Sequence, residues 1–122
     1  MSPVQRVVIC GTSLYLMSIE VSLDKLPEMQ VVRLDTRLPN SEERILALAP
    51  DVIIVERDSD DAHRVRPLSS RGLPLVELDM RQNKIMVQSE RLLLVCELDD
   101  LAQIIQQVAA GDPAQEYNCE TD

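Results

Sequence analysis

The chain contains no phenylalanine, no tryptophan and only two tyrosines in 122 residues. Stacking platforms for nucleic-acid bases are built from aromatic faces, so that mode of binding is excluded almost by inventory. Basic residues are scarce too: 12 stand against 21 acidic ones, for a formal charge of −9. Such a net field repels a phosphate backbone, and nucleic acid is not an expected partner. No apolar run approaches the roughly 20 residues needed to span a bilayer, so no membrane partner is expected either. The N-terminus runs from Met1 directly into a strand pattern, without signal-peptide character. Cysteine is limited to Cys10, Cys96 and Cys119, odd in number and without metal-ligand spacing, which reads as reduced thiols in a cytoplasm. Gly11 stands alone after the first strand pattern, where a dinucleotide fingerprint needs three glycines.

What remains is an aliphatic core. The chain is 45% hydrophobic, drawn from Leu, Val, Ile, Met and Ala, and its length suits one domain. We expect that domain over residues 1–111, with an acidic flexible tail over 112–122. The segment that organises the rest is Pro50-Asp51-Val52-Ile53-Ile54-Val55-Glu56. Four apolar residues, all of them β-branched, lie between a helix-stopping proline and a carboxylate. That pattern predicts a central parallel strand buried on both faces, with Glu56 at its carboxyl end.

Before it, residues 4–10 predict a first strand, Ser13 an N-cap, and residues 14–26 a helix. That helix carries two apolar stripes on opposite sides, Leu16, Ile19, Leu23 and Leu26 on one and Leu14, Met17 and Val21 on the other. Residues 30–35 predict a second strand. Asn40 or Ser41 then caps a helix running through Ala49, with Glu42 and Glu43 in its first turn. After the central strand, residues 58–66 predict a short helix interrupted by Pro67, and residues 73–79 a fourth strand. Only four residues separate that strand from the β-like run 84–88, too few for a helical crossover, so a hairpin and an antiparallel fifth strand are expected. Residues 91–96 predict a sixth strand and 101–110 a closing helix. The fold class is therefore α/β, a flavodoxin- or receiver-like open sheet of parallel strands in the order 2-1-3-4. An antiparallel hairpin of strands 5 and 6 replaces a fourth helix.

The Pro50–Val55 segment, the preceding short helix with Leu46 and Leu48, and the placement of strand one, helix one and Leu73-Pro74-Leu75-Val76 resemble the receiver domain of bacterial response regulators over about residues 4–79. In that family an Asp closing strand three accepts a phosphoryl group, and the resemblance puts Glu56 at that position. The extra methylene displaces the carboxylate from a transfer that depends on positioning. The family's Mg²⁺-holding acidic pair falls on Gly11, Thr12 and Ser13, its Ser/Thr after strand four falls on Asp79, and its Lys after strand five has no counterpart. The resemblance thus implies a degenerate, pseudo-receiver domain: no enzyme, no cofactor and no bound metal.

Two kinds of site are candidates. At the carboxyl edge, Asp35, Glu56 and Asp79 are a candidate ligand or metal edge, provided two carboxylates approach within about 5 Å. Cys10, Thr12 and Ser13 form a candidate anion or thiol loop, faintly similar to the phospho-cysteine loop of sugar phosphotransferase IIB proteins. Together these residues would serve an alternative small-ligand, metal or nucleotide binder, or an enzyme. Asp61-Ala62-His63 superficially echoes a cobalamin-binding signature without its later glycine. Arg64, Arg66 and Arg71 are the basic cluster. On the helix surfaces, Leu14, Met17 and Val21 with Gln103, Gln106 and Gln107 are a candidate interface, because charge depletion marks interface cores. The leading expectation is a regulatory or scaffold protein acting by contact, with itself as a homodimer or with a regulatory protein.

Overall fold

In the computed structural model, residues 4–89, 92–97 and 105 are described. In chain order the elements are β1 (Gln5–Cys10), α1 (Leu14–Asp24), β2 (Met29–Leu34), α2 (Ser41–Leu48), β3 (Val52–Glu56), α3 (Asp60–Ser69), β4 (Leu75–Asp79), β5 (Lys84–Ser89) and β6 (Leu92–Glu97). The strands form one mixed sheet in the order β2-β1-β3-β4-β5-β6. β2, β1, β3 and β4 are parallel, while β5 runs antiparallel to β4, and β6 to β5. Four residues between β4 and β5 permit no crossover, and Asn83 takes the left-handed turn conformation (φ 57°) that closes the hairpin.

The contiguous apolar runs of β1, β3 and β4 are buried on both faces. Alternate residues divide between two cores. Val7, Ile9, Val52, Ile54, Val76, Leu78, Ile85 and Val87 pack with Leu16 and Leu23 of α1 and with the helical Ile105. Val8, Cys10, Ile53, Val55 and Leu75 pack on the other face with Ile45 of α2 and with Ala62, Val65 and Leu68 of α3. Burying Leu16 and Leu23 contributes about 1.5–3 kcal/mol each, which fixes which side of α1 meets the sheet.

Pro50-Asp51 has a structural task. The Arg6 backbone N–H donates to Asp51 Oδ2 (2.7 Å), and the Asp51 N–H donates back to the Arg6 carbonyl (2.8 Å). The Arg6 guanidinium also donates to the Leu48 carbonyl at the end of α2. The signature thus clamps β3 to β1 at the amino edge, opposite the candidate site.

Several local expectations are corrected. Asn40 occupies the N-cap position of α2 in a left-handed conformation and makes no side-chain cap bond. Ala49 lies outside α2 as its left-handed C-cap (φ 49°), since Pro50 prevents the helix from continuing. Pro67 does not interrupt α3, which runs on to Ser69. The loss of one backbone bond and the ring clash cost about 3 kcal/mol, offset by complete burial of Leu68 beyond the proline and by anchorage of Arg66. Helix one stops at Asp24, and β4 begins at Leu75 because Pro74 cannot donate to the ladder. The expected closing helix, apart from Ile105, and the acidic tail lie outside the described residues.

Candidate functional site

α1 covers one face of the sheet and α2 and α3 the other, so the connections diverge between β1 and β3. The carboxyl ends of those two strands form the switch point at which open α/β sheets bind ligands. Ser13 caps α1 by accepting the Leu16 N–H (3.1 Å), and Ser59 caps α3 by accepting the Ala62 N–H (3.2 Å). Gly11 between them is at φ 137°; a Cβ there would lie 2.5 Å from Leu16 Cδ1 and 3.3 Å from Asp61 Oδ2. Only glycine fits, for reasons of packing as well as backbone conformation.

The three edge carboxylates do not converge. Asp35 is bound by its near neighbour Arg37, whose backbone N–H and Nε donate to Oδ1 and whose Nη2 donates to Oδ2, each at 3.0 Å. Those hydrogen bonds, the side-chain ones first, hold the Asp35 carboxyl down at about 2. Asp79 serves the β4–β5 hairpin: Oδ1 accepts the Arg81 and Gln82 N–H groups (3.1 and 3.2 Å), and Oδ2 faces Arg57 Nη1 at 3.4 Å. The Glu56 side chain makes no hydrogen bond or ion pair with another described residue. Its charge is felt at Tyr15, whose phenol is pushed up first by burial and then by Glu56. Among the described residues, no group of three or more His, Cys, Asp and Glu side chains is placed to hold a metal ion. Strand ends space these acids along the edge, and the loops after β2 and β4 draw Asp35 and Asp79 aside.

The thiol loop carries the chain from β1 into α1. Cys10 is fully buried, and desolvation, followed by the negative charge of Asp61, pushes its thiol up to about 12. A group so held stays protonated at neutral pH and is no nucleophile. Thr12 is exposed and Ser13 is committed to its cap.

Asp61 and Thr36, which the sequence pattern did not single out for this edge, meet there instead. The Thr36 hydroxyl donates to Asp61 Oδ1 and accepts from Arg64 Nη1 (3.0 Å), and Arg64 Nη1 also lies 3.8 Å from Asp61 Oδ1. Asp61 thereby links the first turn of α3 to the β2–α2 loop in front of Gly11. The available signal was its place in a first helical turn, two residues past a Ser cap; its long-range partner carried none.

The basic cluster is dispersed. Arg64 joins Thr36, Arg71 pairs with Glu42 (3.1 Å), and Arg66 donates from Nη2 and Nε to the two oxygens of Glu77 (2.8 and 3.3 Å) and from Nη2 to the Arg57 carbonyl (3.1 Å). Glu77 is 3% exposed inside β4. Its signal was a lone charge in Leu75-Val76-Glu77-Leu78, and it points to the α3 face. His63 is exposed, with Nδ1 3.2 Å from Arg66 Nη1.

The second stripe of α1 faces away from the sheet: Leu14 is 84% exposed, Val21 58% and Met17 40%. No exposed residue from Leu14 to Ser22 is charged, and the one acid in that stretch, Glu20, is turned aside toward Arg33 of β2 (3.7 Å). Gln103, Gln106 and Gln107 lie outside the described residues. Comparison with protein-family models, with curated proteins and with solved structures finds no match to this chain. No helix among the described residues is long and apolar enough to cross a membrane.

Proposed function

We propose that the chain is a receiver-like regulatory or scaffold domain of the cytoplasm that takes up no phosphoryl group and acts by protein–protein contact. Its partner is a second copy of itself or a regulatory protein. The observation that carries this reading is the outer face of α1, where Leu14, Met17 and Val21 stand exposed on a charge-free surface in a chain of net charge −9. Exposed apolar surface of that kind marks interaction sites, and loss of charge is what distinguishes an interface core.

The carboxyl edge supports the same reading. Asp35 is engaged by Arg37, Asp79 by the hairpin amides and Arg57, and Asp61 by Thr36 and Arg64, while Glu56 stands apart from them. In this reading the β4–β5–β6 hairpin replaces a receiver's fourth helix, and a closing helix through Ile105 completes the α1 side of the sheet. Val21→Glu places a charge on the outer face without touching the core. It is expected to abolish capture of the native partner while leaving the circular dichroism spectrum unchanged, whereas Glu56→Gln and Asp79→Asn are expected to retain capture. Retention by Val21→Glu with loss by Glu56→Gln would reverse the assignment.

A further inference from the structure

β2 is an outermost strand of the sheet, and its free edge follows from alternation. Gln5 donates its N–H to the Glu28 carbonyl (2.7 Å), and Gly11 donates to the Leu34 carbonyl (3.1 Å), so the even-numbered residues of this segment turn their backbone groups toward β1. The odd-numbered ones turn outward. Met29 already uses its N–H on the Leu26 carbonyl (3.1 Å). Besides the Met29 carbonyl, Val31 and Arg33 remain, with two N–H and two C=O groups that have no partner among the described residues. The six-residue strand has no proline, and its one charge, Arg33, is drawn toward Glu20. Among the described residues the usual protections of a strand edge are missing.

We propose that β2 pairs antiparallel with β2 of a second copy, making one continuous sheet about a two-fold axis normal to it. This rests on reading the chain as a contact domain, and it names the partner and the surface. The register is determined by the free groups. Setting Val31 opposite the second copy's Arg33 uses all of them, and Val32 then meets its own counterpart in a non-hydrogen-bonded pair. Isologous pairing of this kind is self-complementary. The charge distribution favours a second copy over an arbitrary acidic strand. Two chains of −9 repel over most of their surface, but at this edge each brings an Arg33–Glu20 pair, and the four charges cancel across the junction.

The axis keeps both copies of α1 on the same side. α1 packs over β1 and β2, within the core that holds Met29 and Val31. With strands about 4.8 Å apart, a helix centred over that pair lies about 10 Å from its symmetry mate, a helix-packing distance. The dimer therefore doubles the outer face of Leu14, Met17 and Val21 into one broad surface. On the other side, the groove of about 430 Å³ between β2 and α2, lined by Val32, Leu34, Leu38, Arg44, Ala47 and Leu48, lies beside the junction.

Single cysteines test the register. Paired Val32 Cα atoms would lie about 4.5 Å apart, within disulfide range, while paired Gln30 Cα atoms would be about 14 Å apart. Under mild oxidation Val32→Cys is expected to give a covalent dimer on a non-reducing gel, and Gln30→Cys, carrying the same native cysteines, is not. Arg33→Pro blocks the outward N–H without removing an internal ladder bond. It is expected to turn a dimer in sedimentation velocity at tens of micromolar into a monomer with an unchanged far-ultraviolet spectrum. A monomeric native chain, equal cross-linking of both cysteine variants, or a dimer that survives Arg33→Pro overturns the proposal. If the chain is monomeric and still captures a partner protein that Val21→Glu loses, the contact reading stands and the pairing alone is wrong.

Discussion

Glu77 and Arg66 form the ion pair on which the placement of α3 depends, and the consequences of breaking it are unequal. The Glu77 carboxylate is 4% exposed and receives two hydrogen bonds from a guanidinium that is itself 37% exposed. Arg66→Met leaves a buried carboxylate without its cation, which costs about 3–5 kcal/mol in fully buried pairs. The partial exposure of Arg66 places the expected loss near the low end, about 3 kcal/mol. Glu77→Leu leaves the partly exposed arginine its bond to the Arg57 carbonyl and access to water, and about 1 kcal/mol is expected from the lost hydrogen bonds. The double variant removes both charges and their desolvation, and such replacements range from neutral to stabilising. Urea unfolding followed by circular dichroism, since the chain has no tryptophan for fluorescence, gives the four stabilities of the cycle. The reasoning requires Arg66→Met to be the worst of the three variants and the double variant to recover most of its loss. If Glu77→Leu is as damaging as Arg66→Met, or if the double variant is simply the sum, the pair is not what positions α3.

Other outcomes follow from the same geometry. Asp35 is expected to titrate near 2 by carboxyl NMR and to return toward the ordinary carboxylate range in Arg37→Ala. Because its folded value is depressed, its contribution to stability is present above the unfolded carboxylate pKa and is lost as pH falls toward 2. Cys10 is expected to resist thiol reagents at pH 8 in the native state and to react once urea unfolds the chain. With a folded value raised to about 12 against an ordinary 9.0, the unfolded chain loses this proton first, so stability falls as pH climbs from 9 to 12. Pro67→Ala is expected to stabilise the protein by about 1–2 kcal/mol in urea unfolding: the cost of an interior helix proline is removed, less the entropy the proline takes from the unfolded chain.

The open α/β sheet was legible because its strands are β-branched runs and its helices begin at Ser13 or among early acids. The four-residue connection after β4 could only be a hairpin. The two stripes of α1 were legible for the same reason: at helical periodicity Leu16 and Leu23 cannot share a side with Leu14 and Val21, and the structure buries the first pair and exposes the second. The candidate site was less legible. Strand register places Asp35 and Asp79 on one edge, but their environments are set by Arg37 and by the hairpin amides, groups two or three residues away that periodicity does not weigh. Asp61 and Thr36 are 25 residues apart in sequence, and their meeting depends on how α3 packs beside the β2–α2 loop. The continuation of α3 through Pro67 was not legible, because local propensity is outweighed there by the burial of Leu68 and the anchorage of Arg66.

The most direct test of the central claim is the intact mass of the protein after incubation with Mg²⁺ and acetyl phosphate. An unmodified chain is expected, because Glu56 belongs to no group of three or more His, Cys, Asp and Glu side chains placed to hold a metal ion among the described residues. A stoichiometric phosphoryl adduct at Glu56, or at Asp35, Asp61 or Asp79, would contradict it.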